Sequence, residues 1–150
     1  MDDARPQGAA AEPLPPRLIK GLQAEFIPAE WSGENTSGIR VFGKNLLVRM
    51  DACSPKSAGG VMLPEDLVDR MTEASESGCI FAIGPAAFRL FDDGHRWEGD
   101  KPTVGERVYV EKYAGVKARG ADGALYRIMD ERCISGALDA GYVMPLEGEV

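Results

Sequence analysis

A few side chains in this sequence are of types that do chemistry elsewhere. His95, the only histidine, stands near Asp92 and Asp93, a grouping that suggests a cation site. No second histidine or cysteine lies close by, so the donors are too few to enclose a metal. Cys53, Cys79 and Cys133 have neither CxxC spacing nor an adjacent base, and they read as buried or incidental thiols. Glu65 and Asp66 are neighbouring carboxylates, but acid–base catalysis needs a held geometry, and a solvated stretch beside a flexible loop does not supply it. The glycines at 59, 60, 84, 94, 105, 115, 120 and 123 follow no phosphate-loop spacing and mark turns. The chain therefore reads as non-enzymatic, with no catalytic residue, no metal and no cofactor.

The remaining chemistry is that of contact. In Lys56–Pro64, Gly59 and Gly60 precede the apolar triplet Val61, Met62 and Leu63. The two glycines leave a loop free to move, and the triplet is suited to an apolar groove on a partner. Met62 adds an adaptable side chain there, whereas Met71 reads as helix filler. Full burial of such side chains contributes roughly 1.5–3 kcal/mol each. Ordering a flexible backbone costs about 1–2 kcal/mol per residue. A single loop is thus a weak binder. Several identical loops joined together gain factors of roughly 10² to 10⁴ through avidity. Pro64 ends the segment by removing a backbone donor and restricting Leu63.

The elements that must carry this loop are mostly strands. Ile39–Met50 reads as a strand with an early break at Gly43, and Gly78–Ile83 as a strand ending in a Gly84-Pro85 turn. Phe88–Phe91 and His95–Glu98 flank Asp92-Asp93-Gly94 as a hairpin. Arg107–Lys112 alternates Val108 and Val110 against Arg107, Tyr109 and Glu111, the pattern of a half-buried strand. Val116–Arg119 and Ala124–Met129 form a second hairpin, and Cys133–Leu138 a last strand. Only Glu65–Ala74 offers a helix. Short strands at this density predict an all-β chain folded as a closed or nearly closed small barrel. Residues 1–38, rich in Ala, Pro and acidic residues at their start, read as an extended or disordered N-terminal arm. That arm is either a solvated leader or a segment whose Leu18, Leu22, Phe26, Ile27 and Trp31 dock on a neighbouring subunit. The barrel is assigned to residues 39–138 and a C-terminal tail to 139–150.

The stretch Lys56-Ser57-Ala58-Gly59-Gly60-Val61-Met62-Leu63-Pro64 resembles the mobile loop of GroES-like co-chaperonins. Ile39–Val48 is similar to that family's first strand, Gly78–Pro85 to its central strand and turn, Val104–Gly115 to the approach to its closing hairpin, and Leu125–Leu138 to its last strands. The blocks follow family order. The chain departs from the pattern at Lys44-Asn45, where the family carries an Asp-Arg pair, and in a long segment between Leu63 and Gly78. Such divergence suits a phage-encoded or otherwise specialised member more than a housekeeping one. The resemblance implies a heptameric ring that caps an ATP-driven chaperonin through Gly59, Gly60, Val61, Met62 and Leu63. It also places a roof hairpin at residues 88–98, whose Phe88, Leu90, Phe91 and Trp97 either pack under the hairpin or, the favoured reading, join hairpins of adjacent subunits.

Bulk properties narrow the classes further. A net charge of −7, with no basic run, argues against nucleic acid. No apolar run is long enough to span a bilayer, and Asp2 and Asp3 are unlike the start of a signal peptide, so a cytoplasmic protein is expected. Three dispersed cysteines fit a reducing compartment. The alternative is a virion structural protein, a capsid decoration or tail component that reuses the barrel and laces onto neighbours through its arms.

Overall fold

The computed structural model describes residues 26–56, 60, 62–89, 99–139 and 142. In chain order the elements are β1 (Phe26–Ile27), β2 (Asn45–Met50), β3 (Ala52–Cys53), α1 (Glu65–Glu73), β4 (Ser77–Ile83), β5 (Arg107–Val110), β6 (Val116–Arg119), β7 (Leu125–Asp130) and β8 (Ile134–Leu138), with a short 3-10 turn at Glu131–Cys133 between the last two. Six strands form one antiparallel sheet in the order β6-β7-β2-β4-β5-β8, and β1 pairs with β3 in a separate two-stranded ladder.

Strand β2 lies at the centre and is buried on both faces. Period-two alternation sends Leu46, Val48 and Met50 to one side and Leu47 to the other. On the first side they meet Ile80, Val108, Val110 and Met129, with Ile134 packed against the group. Strands β7 and β8 stand near opposite ends of the sheet yet contribute to this one cluster, so the sheet must curl around it. The result is an all-β small barrel. Its seam is not zipped: among the described residues β6 and β8 do not pair with each other, and each has a strand partner on one side only.

On the other side, Leu47, Cys79, Phe81 and Tyr126 are covered by residues upstream of the barrel. Trp31 stands edge-on to Phe81 with ring centroids 5.0 Å apart, and Phe81 stands edge-on to Tyr126 at 5.4 Å. Ala29 is buried in the same cluster, with Ile39 and Val41 packed against it. Phe26, Ala29 and Trp31 thus pack in the subunit's own clusters and are not reserved for a neighbour, while residues 32–36 and 38 beyond them are exposed. Ile27 alone of the described arm hydrophobics is exposed, and Leu18 and Leu22 lie outside the described residues.

One strand boundary differs clearly from the sequence reading. The first long strand begins at Asn45, because a turn at Gly43–Lys44, closed by the Asn45 N–H to the Phe42 carbonyl at 3.1 Å, redirects the chain. Ile39 and Val41 are thereby freed to cap the outer cluster. Helix α1 forms where expected. Pro64 precedes it with extended backbone, Glu65 and Asp66 occupy its positive end, and Arg70 its negative end. Leu67 and Met71, at i and i+4, are its buried stripe.

Candidate partner-binding loop and its root

The loop is defined at its base by main-chain geometry. Lys56 and Met62 form an antiparallel bridge, and the Leu63 N–H donates to the Pro55 carbonyl at 2.8 Å. Gly60 has φ +86°, a left-handed conformation that glycine adopts without strain. Gly59 and Val61 lie outside the described residues. Consecutive side chains of extended backbone face opposite ways, and the two remaining members of the triplet obey this rule. Met62 is 63% exposed, whereas Leu63 is only 7% exposed.

Leu63 enters a small cluster separate from the two barrel clusters, built from Cys53 of β3 with Leu67 and Met71 of α1, and packed by Phe26 of β1. Thr72 ties the strand to the helix: its hydroxyl accepts from the Cys53 N–H and donates to the Val68 carbonyl, both at 2.9 Å. Burial pushes the Cys53 thiol up to about 11, which leaves it protonated and unreactive at neutral pH. The helix is further held to edge strand β6 by Lys117–Glu73 at 3.0 Å and Arg119–Asp69 at 3.6 Å. These pairs are largely solvated and add little stability.

The expected roof hairpin begins at Phe88. Phe88 is 3% exposed and packs in its own barrel's interior cluster, the packing alternative of the sequence reading. Its backbone has φ +58°, which turns the chain at that point, and its N–H donates to the buried Glu131 carboxylate at 2.6 Å. Leu90, Phe91, Trp97 and His95 lie outside the described residues. Among the described residues no group of three or more His, Cys, Asp or Glu side chains could hold a metal, and no helix is long and apolar enough to cross a membrane.

One constellation went unread in the sequence. Asp51, fully buried, receives both ends of the Arg107 guanidinium, Nη1 to Oδ1 at 2.5 Å and Nη2 to Oδ2 at 2.9 Å. Ser77 Oγ and the Ala29 N–H also donate to it, at 2.6 and 2.8 Å. The same guanidinium donates to the carbonyls of Ala29, at 3.4 Å, and Tyr142. Alternation along β5 assigns Arg107 to a polar face, and it does lie opposite Val108 and Val110. That face is covered by the upstream segment, however, so Arg107 is buried with its counter-ion. A lone Asp after an apolar strand carries no signal of such a partner.

The relatives of this chain agree with the geometry. The family model of the chaperonin 10 Kd subunit matches residues 38–138. The co-chaperonin GroES of Bacillus sp. (strain PS3) is 33% identical over 93 residues, which are 62% of this chain and 90% of that protein. A curled antiparallel barrel, a bridged apolar loop with a left-handed glycine and a family match across the whole barrel lead to one assignment: the chain belongs to the chaperonin 10 Kd subunit family, that of the GroES-like co-chaperonins.

Proposed function

We propose that copies of this chain assemble into a ring, heptameric by resemblance to the family, and that the ring caps a GroEL-type chaperonin to assist protein folding. The segment Gly59-Gly60-Val61-Met62-Leu63 makes the contact. The observation that carries this reading is Met62, a large apolar side chain held in solvent beside a left-handed glycine at the mouth of a bridged loop. Burying it contributes about 1.5–3 kcal/mol, which loop ordering largely offsets. Affinity then comes from multiplicity, and a ring supplies it. A ring also needs two different surfaces on each subunit, and the edges of β6 and β8 that have no strand partner among the described residues are two such surfaces. The ATPase resides in the partner, and this subunit contributes no catalytic residue.

The test is recovery of the protein on an immobilised GroEL-type chaperonin with ATP present, comparing wild type with Met62→Asp. Met62 is exposed, so the fold is expected to survive the change. Recovery should fall at least about tenfold, because a charge replaces an apolar contact in every loop. Equal recovery of the two proteins would overturn the reading.

A further inference from the structure

Leu63 and Met62 are adjacent members of one apolar triplet, yet one is buried in its own subunit and the other is in solvent. While the Lys56–Met62 bridge and the Leu63–Pro55 hydrogen bond stand, the two side chains point to opposite sides of the backbone and cannot enter one groove together. We propose that Leu63 is a latch: in the free subunit it occupies an internal pocket formed by Cys53, Leu67 and Met71, and docking on the chaperonin draws it out. This rests on the capping function proposed above.

The pocket is suited to opening. It is a satellite of the fold, distinct from the interior cluster around Val48 and from the outer cluster around Phe81, so losing Leu63 breaks neither. Besides apolar contact, the described main-chain ties on Leu63 and its neighbour are a single bridge and a single hydrogen bond. Directly after it, Pro64 accepts from the N–H groups of Leu67 and Val68 at 3.0 Å each, so withdrawal of Leu63 pulls on the first turn of α1. The same helix provides Leu67 and Met71 to the pocket. Loop and helix thus form one two-state element, and the partner competes with the pocket for one leucine. A pocket that buries a leucine biases the closed state by roughly ten- to a hundredfold, and the apparent affinity of each loop falls by the same factor. The latch keeps a greasy residue out of water in the free ring and makes engagement selective for a groove that outbids the pocket.

Cys53 is a native reporter, because it lines the pocket and is 2% exposed while Leu63 is in place. The assembled protein is treated with N-ethylmaleimide, alone and with a GroEL-type chaperonin and ATP, and modification is mapped residue by residue. Cys53 is expected to label at least about tenfold faster in the complex, while Cys79, buried in the outer cluster, stays unchanged. In parallel, Met71→Ala, which loosens the pocket, should bind about tenfold more tightly, and the volume-conserving Met71→Leu should bind like wild type. If wild type binds, Cys53 labels no faster in the complex and Met71→Ala gains nothing, then Leu63 is a fixed anchor and the latch is wrong while the capping function stands. If wild type does not bind at all, both fall.

Discussion

The guanidinium of Arg107 meets a carboxylate and two main-chain carbonyls where the upstream segment, the barrel and the downstream tail converge. Its Nε is buried without a partner among the described residues, so the arrangement is close to, but short of, full satisfaction. Removing one member of such a pair strands the other in low dielectric. Arg107→Leu is expected to cost about 3–5 kcal/mol in denaturant unfolding, and the double variant with Asp51→Leu less than the sum of the two single changes. Asp122 is a second residue whose surroundings set its chemistry. Partial burial works to raise its pKa, but donors from Thr36 Oγ1 at 2.6 Å, the Tyr126 hydroxyl at 2.5 Å and the Ala124 N–H at 3.0 Å outweigh that and hold it below the ordinary 3.8. A carboxyl depressed in the fold binds protons less readily there than in the unfolded chain. Its stabilisation is therefore complete above pH 3.8 and fades as the pH falls through the folded value. Unfolding curves between pH 6 and pH 2 should show this acid loss in wild type and a smaller one in Asp122→Asn. Tyr126 has the opposite sign: burial, then the bond to Asp122, pushes it up to about 12. Its stabilisation holds below pH 10 and is lost as the phenol ionises towards 12.

At the scale of elements, the strands with clear alternation or clear turn chemistry were legible in the residues. Strands β4 to β8 and helix α1 stand within a few residues of where the pattern placed them. What escaped were β1 and β3, since two residues carry no period, and the true start of β2, since Val41 and Phe42 look like strand while Gly43 ends the run. The burial of Leu63 in the free subunit also escaped, because an apolar triplet after glycines does not show which member the adjoining helix claims. The β6–β7 hairpin provides a sharp element-level test. Gly115 has φ +70°, and a Cβ there would lie 2.0 Å from the Ile128 carbonyl oxygen. Gly115→Ala must push the entry of β6 away from β7 and should cost well over about 1 kcal/mol. Gly123→Ala, with φ +85° but open space around it, should cost only about 1 kcal/mol. Paired chemical denaturation of the two variants distinguishes backbone strain from collision.

At the scale of the molecule, the barrel was foreseen and its wrapping was not. Composition marks residues 1–38 as unlike the rest, and proline and acidic residues at the start of that stretch suggest solvated chain. Burial of Ala29 and the edge-on contact of Trp31 with Phe81 come from long-range fit, which no local period encodes. Deleting residues 1–38 would expose Leu47, Phe81 and Tyr126 and leave Asp51 without the Ala29 N–H. The truncated protein is expected to unfold at a markedly lower denaturant midpoint and to bind a hydrophobic dye that intact protein does not. Normal stability after deletion would mean that the upstream layer is dispensable. The same clasp brings two remote stretches of chain together, because the carbonyls of Ala29 and Tyr142 share one guanidinium. Circular permutation should therefore be tolerated here: a short linker from residue 142 back to residue 29, with new ends opened in the exposed Ala121–Gly123 turn, keeps every pairing of the six-stranded sheet and gives up only the β1–β3 ladder. In an assembled ring, cargo fused near either of those positions would leave each subunit from the same corner and collect around a single rim.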